Sequence, residues 1–517
     1  MHLSRVARAH PDKVAAIFLP SGRTLSFGEL ERRANQAANA LRALGARHGD
    51  CVAFCVENDP MLLALTLGAQ RIGLYYALVS TKAAASELTY ILADSQARWA
   101  VVSMNSEAAI DVESLARSQA RLFSLGADTA APLERWEPLF DAASAALPED
   151  PSPGREILYT SGTTGRPKGV RKPPFDTPFD AVDSRNAAVA NASGITAESV
   201  YLSTSPLYHS APNRYLSAAV HLGATSVVME RFDAELALQA IDTYQCTHGL
   251  WVPTMFHRML RLPEEVRVRY RLDSMKSAIH GAAPCPAHIK AQMIEWWGPI
   301  LDEYYSGTEG IGATFITAKE WLAHRGSVGQ AKDGVLHILD ENWNEVEAGT
   351  IGRVYFESDA RFEYWQAPDK TSAMTSPQGW RSFGDIGRLD AEGYLYLTDR
   401  EAFTIVSGGV NIYPQEIEDI LLQDPRVADA AVFGMPNDEY GEEIRAVVQL
   451  IAPDSASVPL AASLKLHCRT ALGPLKVPRQ IAFEAELPRH PTGKLHKHAL
   501  RQRYLAAEGR PDSRSSS

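Results

Sequence analysis

Apolar positions recur at helical spacing over residues 26–75, where Leu30, Ala34, Ala37, Ala38, Leu41 and Leu44 share one face. The run VAFCV at 52–56 is apolar without alternation and predicts a short buried strand. Similar runs at 100–102, 226–229 and 278–280 alternate with helical stretches, which predicts α/β layering. From about 327 the texture changes. GVLHILD, GRVYFES and GYLYLTD are short β-like segments separated by Gly and Asp, as in a compact sheet or barrel-like subdomain. Beyond Arg400, VNIYPQEIEDILLQ reads as a helix entered through a proline, AAVFG and RAVVQLIA as strands, and 460–472 as a helix. The expected fold is α/β. A large N-terminal domain of layered sheets and helices, with a β subdomain, spans 1–399. A small α+β domain spans 400–505, and 506–517 form a disordered tail.

Composition narrows the class. The 517 residues are 45% hydrophobic and 22% charged, which excludes collagen, a coiled coil and wholesale disorder. The net charge of −11 argues against a nucleic-acid binder, because phosphate contacts need clustered Lys and Arg. Five cysteines (Cys51, Cys55, Cys246, Cys285 and Cys468) form no CxxC pair and are odd in number, so they read as buried thiols in a reducing compartment. The N-terminus meets Asp12 and Lys13 before any apolar run long enough for a signal peptide. No stretch approaches ~18 uninterrupted apolar residues. A cytoplasmic protein with no transmembrane segment is expected.

Chemistry concentrates at ILYTSGTTGRPKGV, 157–170. Gly162, Gly165 and Gly169 let backbone N–H groups approach anionic oxygens. Thr160, Ser161, Thr163 and Thr164 add hydroxyl donors, and Lys168 adds a mobile positive charge. Pro167 before the lysine and Gly169 after it exclude a Walker A loop, which needs Gly and Ser/Thr there. With this loop the chain resembles the adenylate-forming superfamily of acyl-CoA synthetases, firefly luciferases and peptide-synthetase adenylation domains. Further motifs follow in the family's order: HGAAPCP (280–286), YYSGTEG (304–310), SFGDIG (382–387), DREAFTIVSGGVNIYPQEIE (399–418) and PRHPTGKL (488–495). The resemblance covers nearly the whole chain.

It implies roles residue by residue. Tyr305, beside Tyr304, would stack on adenine against a wall formed by Gly281, Ala282 and Ala283. Thr308 would touch the α-phosphate, and Glu309 would hold Mg²⁺. Asp385 would accept from the ribose hydroxyls, with Arg400 as a nearby donor. His209 in LYHSAPN would orient the acid or gate the thiol. Gly408 and Gly409 would face coenzyme A, and Lys494 would act in adenylation. Tyr208, Trp251, Val252, Met255 and Ala282 would line an apolar acyl pocket. No carboxylate lies between Tyr208 and Tyr215 to pair with an amino group, which disfavours an amino-acid substrate. Where the family often has Asp or Lys as a hinge pivot, this chain has Ala402.

The implied reaction is ATP-dependent formation of an acyl-adenylate, with pyrophosphate release, then transfer to coenzyme A by a chain with a mobile C-terminal lid. An apolar acid, fatty or bulky alicyclic, is favoured, with an aromatic acid next. Transfer to a carrier protein and a nucleotide-binding non-enzyme are the rivals, and a homodimer is allowed.

Overall fold

The computed structural model of the chain describes residues 2–104, 118–126, 133–160, 167–175, 177–181, 184–437, 439–489 and 495–509. Among them, two large sheets carry the N-terminal domain. The nine-stranded sheet has a parallel centre in the order Leu301–Ser306, Ser277–His280, His248–Trp251, Val200–Ser203, Thr225–Met229 and Val14–Leu19. The eight-stranded sheet runs parallel from Arg155–Thr160 through Tyr75–Leu78, Cys51–Cys55 and Ala97–Ser103 to Arg121–Leu125.

Burial explains why these segments are strands. In Cys51–Cys55, Val52 and Phe54 enter the core that joins the two sheets, while Cys51, Ala53 and Cys55 enter a second core on the other face. A parallel strand covered on both sides needs this unbroken apolar run. The helix Phe27–Ala43 contributes its predicted stripe, Leu30, Ala34, Ala37, Ala38 and Leu41, to the joining core. Ser26 caps it by accepting from the Glu29 backbone N–H at 3.2 Å.

The β-rich segment is an open antiparallel sheet of Val335–Leu339, Gly352–Glu357, Asp385–Leu389 and Leu395–Arg400, not a barrel. The smaller C-terminal domain pairs Val427–Asn437 with Gly441–Leu450 and adds Gln480–Glu484 in parallel. Two expectations need correction there. Residues 410–423 do not begin as a helix: Val410–Ile412 is a strand paired with Ile405–Ser407 across the Gly408–Gly409 turn, and the helix is Pro414–Leu421. Of the tail expected from 506, residues 506 and 507 still belong to the helix Lys497–Ala507, which is held by Leu500 and Leu505, packed in the core with Phe433 and Val447. Residues 510–517 lie outside the described residues.

All five cysteines are free. Burial pushes the Cys51 and Cys55 thiols up to about 12, as inert core thiols require. Among the described residues no helix is long and apolar enough to cross a membrane.

Candidate active site

In open α/β sheets ligands sit beyond the carboxyl ends of parallel strands. Here Thr160, His280 and Ser306 end such strands, and the motif residues follow each of them. Ser161, Gly162, Thr163 and Thr164 lie outside the described residues, as does Lys494. Thr160 pairs in antiparallel register with Lys168, which opens the strand Lys168–Arg171.

Glu309 is buried and accepts a hydrogen bond at Oε1 from the Tyr364 hydroxyl at 2.6 Å. The Lys168 ammonium lies 5.0 Å from the centre of the same Tyr364 ring. Burial pushes Lys168 below its ordinary value; Lys370 adds to the shift and Glu309 opposes it. Tyr364 is a residue that sequence reasoning missed. It reaches the site because the two-residue strand Glu363–Tyr364 pairs with Lys168–Arg171, placing Tyr364 opposite Val170. A strand that short carries no periodic signal.

A second group faces the first. The Tyr305 hydroxyl donates to Asp385 Oδ2 at 2.5 Å, and Arg400 Nε lies 2.9 Å from Asp385 Oδ1. Arg400 also donates to the Phe383 carbonyl at 3.3 Å. The Asp385 carboxylate holds the Arg400 guanidinium above its ordinary value, even against burial. Tyr305 packs edge-on to Phe383, ring centres 5.6 Å apart. Gly307 permits this closeness: a Cβ there would lie 2.4 Å from the Phe383 ring and 2.6 Å from Glu309 Oε2.

The opposite wall is Gly281–Ala283. A Cβ on Gly281 would be 2.8 Å from both the ring and the carbonyl oxygen of Tyr304, so only glycine lets this loop lie against that ring. Ala282 is exposed at φ 70°, the left-handed region that alanine rarely occupies. Thr308 is half-buried in the turn beyond Ser306.

His209 stands at the N-terminal boundary of the helix Ser210–Leu222, without a side-chain capping bond, its ring 4.4 Å from that of Tyr208. Burial pushes the Tyr208 phenol up to about 12. The loop carrying both is clamped by Asn58, whose amide donates to the Ser205 and Met229 carbonyls and accepts from the Leu207 N–H at 2.8 Å. Of the expected acyl-pocket residues, Tyr208 is half-buried and Ala282 exposed, whereas Val252 and Met255 join the core behind the sheet. Trp251 is fully buried there, its ring edge-on to Trp297 at 5.1 Å. The indole therefore belongs to the core packing and is not an exposed surface. Arg214, which the sequence reading passed over, lies on the helix Ser210–Leu222, 3.8 Å from the buried Glu156.

Gly408 and Gly409 turn at φ 58° and 79°, exposed, and the Gly408 N–H donates to the Tyr440 carbonyl at 2.8 Å. Their neighbours belong to the C-terminal domain, so this face is not assembled with Tyr305 and Glu309. The residues just before Ala402 are tied at two points. Asp399 accepts from the Gln415 N–H at 2.9 Å, and Glu401 pairs with Arg353 at 2.8 Å.

The family described as AMP-binding enzyme matches residues 3–363, and its C-terminal domain matches 416–494. A long-chain fatty acid–CoA ligase of Mycobacterium tuberculosis is 31% identical, covering 93% of each chain. A sulfoacetate–CoA ligase of Cupriavidus necator is 32% identical, covering 95% of this chain and 94% of its own. ATP-bound MatB from Rhodopseudomonas palustris superposes with a TM-score of 0.80 at 27% identity, covering 98% of this chain and 99% of that one.

Proposed function

The chain belongs to the AMP-binding enzyme family of AMP-forming acid–thiol ligases, and from that premise we propose that it activates an apolar carboxylic acid, fatty or bulky alicyclic, and delivers it to coenzyme A. A relative named for a long-chain fatty acid and one named for sulfoacetate stand at nearly equal identity, so relatedness does not choose the acid. What favours an apolar acid is the apolar character of the expected pocket residues Tyr208, Trp251, Val252, Met255 and Ala282, together with the lack of a carboxylate between Tyr208 and Tyr215 to pair with an amino group.

The observation that carries the reading is convergence. Lys168, Glu309 with Tyr364, and Asp385 with Tyr305 and Arg400 come from distant segments, and Arg400 senses the charge of both groups. Asp385 is already engaged by Tyr305 and Arg400, yet each carboxylate oxygen has a further lone pair for a ribose hydroxyl. Tyr305 and the Gly281–Ala283 loop offer flat walls for adenine. Lys168 and the loop at 160–165 suit the phosphates, with Thr308 at the α-phosphate. Glu309 fits Mg²⁺: a buried carboxylate that spends Oε1 on Tyr364 keeps Oε2 for a hard cation, which takes its other ligands from phosphate and water. Bound there, the ion would supply neutralising charge.

The acid carboxylate, oriented by His209, attacks the α-phosphorus. The bond to the β-phosphate oxygen breaks, and pyrophosphate leaves with that electron pair. The pantetheine thiolate, approaching along Gly408–Gly409, then attacks the acyl carbon and AMP leaves. The protein positions the groups and offsets charge, with Lys494 serving the first step. The test is ATP–pyrophosphate exchange across fatty, alicyclic, aromatic and amino acids, followed by CoA consumption. Exchange driven by fatty or alicyclic acids, with CoA consumed, is expected. Exchange with amino acids alone would overturn the acid class, and product formed only on a carrier protein would overturn the acceptor.

A further inference from the structure

Directly beneath the Gly281–Ala283 loop lies an ion pair for which the two chemical steps have no use. Lys290 is fully buried, and its Nζ lies 2.7 Å from Oε2 of the buried Glu303. Nε2 of His280, also fully buried, lies 3.6 Å from the same oxygen. Among the described residues neither His280 ring nitrogen has a hydrogen-bond partner.

The three residues sit where the nucleotide walls begin. His280 ends the strand Ser277–His280, one residue before Gly281. Lys290 lies in the helix Ala287–Trp297 that leaves the loop. Glu303 pairs in register with His280 and stands two residues before Tyr305. The space around them is apolar and aromatic: the Trp321 ring centre is 5.0 Å from the ammonium, and Phe256 packs edge-on to His280 at 5.4 Å. Burying such a pair gives little net stability, since well-packed apolar residues would serve as well. What it does supply is a fixed distance between three segments.

We propose that the Lys290–Glu303 pair is a positioning device for the nucleotide site, setting the spacing between the Gly281–Ala283 loop and the strand end that bears Tyr305. The inference rests on reading those two segments as the adenine walls. Burial already pushes the Glu303 carboxyl above its ordinary value, and Lys290 opposes that shift. Without the lysine, Glu303 must move toward water or take up a proton. The titratable groups facing it are Lys290 from the helix, His280 from the adjacent strand and Cys285 from the loop, while Asp302 also senses Lys290.

Lys290→Met should raise the ATP KM by about tenfold near pH 8 while leaving the acid KM within about twofold. Lowering the pH to about 6 should narrow the gap, because a protonated Glu303 needs no cation. The double variant Lys290→Met/Glu303→Gln, neutral and similar in volume, should bring the ATP KM back to within about threefold and remove the pH dependence. A folded Lys290→Met enzyme with unchanged ATP KM overturns the proposal, as does an equal rise in both KM values. Persistence of the pH dependence in the double variant assigns the proton to His280 or Cys285 and overturns it too. If Lys290→Met does not fold, Glu303→Gln replaces it; a raised ATP KM restored by the double variant supports the proposal, and an unrestored one overturns it. Tyr305→Ala separates the two readings. An unchanged ATP KM there sinks the adenine walls themselves, whereas a raised one beside an unaffected Lys290→Met sinks only the positioning pair.

Discussion

On the proposed reading, the hydrogen bond from Tyr364 to Glu309 would ready one carboxylate for a cation. The buried phenol fixes Oε1 and leaves Oε2 uncommitted to it. Glu309→Gln keeps the volume but loses the charge, so the Mg²⁺ concentration needed for half-maximal rate should rise by about tenfold or more. Unchanged magnesium dependence would remove Glu309 from the site. Tyr364→Phe loses only the donor and should have the smaller effect, about threefold on the same measurement; an effect exceeding that of Glu309→Gln would mean the phenol acts on substrate directly. The glutamate was legible in YYSGTEG. Its phenol partner was not, because pairing between residues 55 apart depends on which strands become neighbours.

At the scale of elements, the Gly281–Ala283 loop and the helix Pro414–Leu421 each carry a measurable consequence. Ala282 occupies a left-handed conformation that costs a non-glycine residue about 1–2 kcal/mol, and the residue is exposed. Ala282→Trp should turn acid preference toward small acids, with a larger change in the acid KM than in the ATP KM, which also responds because the residue belongs to the loop read as an adenine wall. Identical acid preference would put the pocket elsewhere. On the helix, Glu418 is buried against Lys497 at 2.8 Å and accepts from the Val432 N–H at 2.6 Å. Burial pushes Glu418 up to about 7 and its neighbour Asp419 to about 6. Unfolded, both titrate near 4. Between those values the folded domain binds more protons than the unfolded chain, so this contribution is full below about pH 4 and is lost as the pH rises through about 7, at about 1.4 kcal/mol per pH unit per group. The thermal midpoint should fall across that window, and Glu418→Gln should flatten the fall. An equally steep fall in the variant would clear Glu418 of the effect. The helix itself was visible as a proline-led amphipathic stretch. Its start was misplaced because Val410–Ile412 has a strand partner only once the Gly408–Gly409 turn folds back.

At the scale of the molecule, a two-step reaction asks the small domain to serve two faces. In this structure Arg261 of the large domain donates to the Val427 carbonyl of the small one at 3.2 Å, while Gly408–Gly409 is turned toward Tyr440 and solvent. If the domain rotates between steps, Lys494→Ala should slow acid-dependent ATP–pyrophosphate exchange by roughly 10²–10³ yet still convert supplied acyl-AMP and CoA to thioester. Equal impairment of both half-reactions would sink the two-conformation mechanism. The sequence alone determined the α/β layering and the order of the chemical motifs. Unbroken apolar runs can only be satisfied as doubly covered strands, and phosphate chemistry needs Gly, Thr and Lys within one short loop. Only the tertiary structure decided that Trp251 is fully buried against Trp297, that Tyr364 meets Glu309, and that Lys290 is neutralised by Glu303. Each of these depends on which strands and helices become neighbours and on which face a side chain leaves, and residue order along a chain does not encode distance across it.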